Sequence, residues 1–118
     1  MKKISFRKFE HMIVPQFRQK MNEAESITDV KTGFSHAVTD FFDKAFEGRF
    51  RVGPEDVVFK PSEQPNFSLG QRLSEDGYFQ SFWRDSDVAY VIGRLAESAA
   101  HRYKHLEKHR EKTVAKIR

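Results

Sequence analysis

A chain of 118 residues, 38% hydrophobic, 32% charged and 14% aromatic with a formal charge of +4, fits one compact domain spanning 1–118. The lack of cysteine excludes disulfides, thiolate metal centres and cysteine nucleophiles. Twelve Phe, three Tyr and one Trp are too many aromatics for a disordered chain, and no apolar run approaches the ~20 residues of a membrane span.

The basic N-terminus, MKKISFRKFEHMIV, is broken by charges before a signal-peptide apolar stretch can form. A soluble, cytoplasmic protein is the expectation. Phe6, Phe9, Ile13, Phe17 and Met21 keep a helical phase, with Pro15 among them. Proline inside a helix deletes a hydrogen bond and costs about 3 kcal/mol. Residues 5–24 are therefore read as one kinked helix or as two pieces with Pro15 opening the second. Lys2, Lys3, Arg7 and Lys8 beside these phenylalanines suit an anionic membrane surface, but Glu10 and Pro15 disfavour it. Packing against the next helix is the simpler use.

That next helix is the clearest element. Ser26 can cap it, with the Asp29 carboxylate at its positive end, and Gly48 can stop it. Between them Ile27, Val30, Phe34, Val38, Phe41 and Ala45 recur at three- and four-residue steps. On the opposite side His36, Asp40, Asp43 and Glu47 align. Such carboxylates can serve acid–base work, yet an amphipathic helix needs a polar outer face in any case. An acidic stripe also attracts a basic surface of another subunit.

Residues 48–73 hold three of the four prolines and three of the six glycines. The segment is expected to be irregular. It contains either a β-hairpin turning over Gly53-Pro54-Glu55-Asp56, with Phe50 and Val52 on one side and the β-prone Val57 to Phe59 on the other, or a helical turn opened by Pro54, followed by a loop carrying Pro61 and Pro65. Arg49, Phe50 and Arg51 suit a strand edge as well as base stacking.

Ser74, Glu75 and Asp76 suggest a helix start, with Tyr78, Phe79, Phe82 and Trp83 on one side of a short helix. These rings either plug the core or form an aromatic anchor for a partner. Asp85 or Ser86 should cap the longest helix, whose apolar face is Val88, Val91, Ile92, Leu95 and Ala99. Beyond Ala100 the face thins to Tyr103, Leu106, Val114 and Ile117. Residues 104–118 are thus expected to project, fray or pair with another chain.

Charge is uneven. Residues 97–118 carry seven Lys/Arg against three acids, and residues 26–48 carry two against four. Arg94, Lys104, Lys108, Arg110 and Lys112 are the candidates for contact with nucleic acid or another anion. Glu97, Glu107 and Glu111 dilute that row, and no zinc-finger, basic-zipper or RNA-stacking signature accompanies it. His101, His105 and His109 stand one turn apart, but each step rotates about 40° round the axis, so three cannot face one ion equally. No metal site or cofactor is expected. GxSxG, GxxxxGK[ST] and GxGxxG motifs are all missing from the chain.

The expected fold is mainly α: a bundle of about four helices with a long C-terminal helix and an irregular segment at 48–73. The expected function is that of a non-catalytic module acting through protein contacts and self-association, with Tyr78, Phe79, Phe82 and Trp83 as candidate contact residues. A nucleic-acid accessory protein is the alternative, and a small enzyme or metal-binding protein the third reading.

Overall fold

The computed structural model describes residues 5–48 and 50–117, with side chains through Lys108. Three long helices carry the fold: α1 (Arg7–Glu23), α2 (Ile27–Phe46) and, after a short hairpin and two short helices, α5 (Val88–Ile117). The fold is mainly helical, as the periodicities require.

Helix α1 runs unbroken through Pro15. Both Pro15 and His11, whose carbonyl loses its partner, lie on the exposed side of the helix. Phe6, Ile13, Phe17 and Met21 face inward, and Glu10 occupies the same stripe. Helix α2 starts as the sequence requires, with the Ser26 hydroxyl accepting from the Asp29 N–H at 3.1 Å. Replacing that cap, Ser26→Ala, is expected to lower stability by about 1 kcal/mol, read as a shift of the urea midpoint.

Its far end differs from expectation by one residue. Glu47 already takes the left-handed conformation at φ 53°, and Gly48 follows at φ 77°. The Gly48 N–H then reaches back to the Asp43 carbonyl at 3.2 Å, satisfying a group left open by the helix end. Gly33 lets α2 close on α1: a Cβ there would stand 2.6 Å from the Met21 methyl.

The hairpin is not where the turn signals put it. Residues 53–56 form a turn, with the Asp56 N–H donating to the Gly53 carbonyl at 3.0 Å. The strands are β1 (Val57–Phe59) and β2 (Phe67–Leu69), antiparallel with Val58 opposite Ser68. The connection carries a cis Gln64–Pro65 bond, and the Asn66 amide donates to the Glu63 carbonyl at 2.8 Å. Phe59 packs on Phe34 and Tyr103, which fastens the hairpin to α2 and α5, and Phe67 packs on Trp83 of the short helix that precedes α5.

Asp56 ties the hairpin base together. Its carboxylate accepts from the Gly53 N–H at 2.7 Å and from two nitrogens of Arg72, at 2.6 and 3.2 Å. Arg72 lies in α3 (Gln71–Glu75), a single turn absent from the sequence reading, and its guanidinium stacks over Phe50.

Ser74 lies within α3 rather than at a helix start. Asp76 is the cap of α4 (Gly77–Arg84), accepting from the Phe79 N–H at 2.8 Å. Before α5, the Ser86 hydroxyl accepts from the Val88 N–H at 3.3 Å, while the Asp87 carboxylate turns away to α1. Phe34, Phe41, Phe42 and Phe79 fill the centre, fully buried, with Val88, Val91 and Ile92 of α5 closing it.

Candidate functional site

Helix α5 holds α1 at both ends. Asp87 accepts from the Phe6 N–H at 2.8 Å, satisfying one open amide of the α1 start, and from the Ser5 hydroxyl at 3.0 Å. Fifteen residues later, Arg102 donates to the carbonyls of Asn22 and Ala24, at 3.3 and 2.8 Å, where α1 ends. The cation there also complements the negative helix terminus. The two helices therefore run parallel, with α2 antiparallel to both.

Between α1 and α5 lies an open groove of about 710 Å³. Phe17 and Met21 form its floor; Arg18 stands on the α1 wall, and Arg94, Glu97, His101, Arg102 and His105 come from α5. These α5 positions share one side of the helix because steps of three and four residues return to nearly the same angle. Arg94 is anchored from below. Its Nε lies 3.2 Å from Glu10 Oε2, and that carboxylate is only 2% exposed.

The candidate anion-contact residues separate on this frame. Arg94 lines the groove, whereas Lys104 and Lys108 are exposed further along α5. Arg110 and Lys112, like His109 of the histidine series, have side chains outside the described residues. Among the described residues no group of three or more His, Asp or Glu side chains could hold a metal ion.

A second groove, of about 630 Å³, lies between α2 and the 50–54 loop, lined by His36, Asp40, Asp43 and Phe50. Asp40 is paired with Lys44 at 2.9 Å, one helical turn away, so the α2 carboxylates are solvated surface groups.

The aromatic quartet divides. Phe79 is 0% exposed, stacked on Trp83 and tilted against Phe42, so it is a packing residue with no surface to offer a partner. Phe82 and Trp83 are half-buried against the same core, and Phe82 lies 4.3 Å from Phe46 between ring centres. Tyr78, 57% exposed, is the member of the four with an open face.

Sequence reasoning did not single out Glu10, Arg18 and Arg102 as site residues. A signal for the first was present: Glu10 continues the apolar spacing of Phe6 and Ile13, where a charge is out of place. Nothing in the sequence pairs it with a residue 84 positions later.

Among the described residues, no helix is long and apolar enough to cross a membrane. No protein-family description, curated protein or solved structure compared with this chain matches it.

Proposed function

We infer that this protein is a non-catalytic helical module that acts through protein contacts and self-associates along α5. The observation that carries the reading is a mismatch of lengths. Among the described side chains of α5, the last that pack on the core are Tyr103 and Leu106, and its backbone stays helical to Ile117. Residues 107–117 extend it by about 16 Å. The molecule accordingly measures 59 × 28 × 22 Å. A helix gains most of its stability from packing, so an extension beyond its own core is best stabilised against another chain.

Sedimentation velocity at micromolar concentration tests the reading. The full chain is expected to sediment as an oligomer, and a chain ending at Leu106 as a monomer with the thermal midpoint of the parent. Truncation at residue 103 would remove Leu106 and confound the two effects. A monodisperse monomer at high micromolar concentration would falsify self-association.

Exposed Arg94, Lys104 and Lys108 on α5 favour a second reading, contact with nucleic acid. Its affinity for single or double strands must fall steeply with added salt, because binding releases counterions. No gel shift with either polymer at low salt eliminates it.

A further inference from the structure

We propose that the α1/α5 groove binds a small phosphorylated molecule, its phosphate met by Arg18 from one wall and Arg94 from the other. The first ground is chemical composition. The groove is lined by three arginines, Arg94 backed by Glu10, Arg102 tied to the α1 carbonyls and Arg18 exposed, against Glu97 on the groove wall, with His101 and His105 beside them. Guanidinium groups are planar forks suited to phosphate oxygens, and each such bond is charge-assisted. A volume of about 710 Å³ lies in the range of small-molecule sites.

The second ground is independent and concerns Glu10. It occupies an inward position of α1 between Phe6 and Ile13, where an apolar side chain would cost nothing. Its Oε2 is buried and accepts no aligned hydrogen bond; the ion-pair contact with Arg94 is its only charged partner among the described residues. A buried carboxylate paired in this way is poor value as a stabiliser, since apolar replacement of such pairs is often neutral or favourable. A local rule broken in the core without a stability gain points to a functional task. Here the task is holding the Arg94 guanidinium at the groove. Glu10 is a positioning residue.

Titrations of the full chain with inorganic pyrophosphate, adenosine monophosphate and uncharged adenosine, followed by amide chemical shifts at low salt, test this site. Pyrophosphate and the nucleotide are expected to bind, with shifts at Phe17–Asn22 and Arg94–His105, and adenosine is not. Arg18→Ala, on the exposed face of α1, should weaken binding about tenfold, the size of one charge-assisted contact. Glu10→Leu should keep the thermal midpoint or raise it and still weaken binding severalfold, which a purely structural carboxylate would not do. The proposal is overturned by absence of binding at millimolar ligand, by shifts confined to Lys104 and Lys108, or by unchanged affinity in Arg18→Ala.

Discussion

Phe42→Ala is expected to lower the unfolding free energy by about 4 kcal/mol, the upper range for emptying a core site. Phe42 is fully buried on α2, with its ring against Phe79 of α4. Its ring meets Phe41 edge-on at 5.6 Å, stacks on Phe46 at 5.6 Å and tilts against Phe79 at 5.7 Å. Truncation removes the transfer free energy of the ring and leaves a cavity that three other rigid rings cannot refill. Aromatic contacts add about 0.5–1.5 kcal/mol beyond burial. With a total stability of about 5–15 kcal/mol for a domain of this size, the variant is left marginal. The corresponding midpoint shift is roughly 15 °C. Met12→Ala, at a half-exposed position on the outer side of α1, should change stability by less than about 0.5 kcal/mol. A loss below about 1 kcal/mol in Phe42→Ala would mean that these rings do not interlock as described.

The same rings show what can be read from the chain and what cannot. The stripes of α1, α2 and the first half of α5 are legible because each repeats every three or four residues over several turns. The caps Ser26 and Asp76 act within three residues, although the Ser74 start signal fell one short turn early because it did not allow for α3. Of the strands, the β-prone run Val57 to Phe59 is legible and forms β1, whereas its partner β2 is not. β1 and β2 are three residues each, too short to show alternation, and Phe59 and Phe67 owe their places to Phe34, Tyr103 and Trp83 across the fold. The candidate site has the same character. Arg94 is legible as a cation on a helix, but the groove depends on α1 lying alongside α5, where Asp87 and Arg102 bind it at contacts 78 to 82 residues apart in sequence. Periodicity reports the face a helix buries. It does not report the neighbour that the face meets.

The Asp56–Arg72 pair carries the second large expectation, because it combines a buried charge with an irregular backbone. Asp56 is almost wholly buried, while Arg72 is half-exposed. The Arg72 hydrogen bonds, helped by the Gly53 N–H, hold the Asp56 carboxyl below the 3.8 of an ordinary aspartate, against a burial effect that raises it. A depressed value in the folded state means that the folded protein resists protonation. The stability contributed is therefore fully present above the unfolded-state value near 3.8 and is lost as pH falls through the lower folded-state value. Arg72→Ala strands the carboxylate. Breaking a fully buried pair costs about 3–5 kcal/mol, and water on the exposed Arg72 side reduces this to about 2 kcal/mol. The damage should be local first. The Asp56 carbonyl accepts from the Gly70 N–H at 2.7 Å, and Arg72 also donates to the Arg51 carbonyl, so the hairpin base and the 51–56 turn share these bonds. Hydrogen exchange at Gly53 and Gly70 is expected to quicken in Arg72→Ala at neutral pH, while exchange in α2 follows only the global loss. Between neutral pH and pH 3 the variant should lose less additional stability than the parent, because Arg72 no longer holds the Asp56 carboxyl down. Parallel acid profiles for the two proteins would show that the pair does not couple the hairpin to the core, leaving hydrophobic contacts of Phe59 and Phe67 to hold it alone.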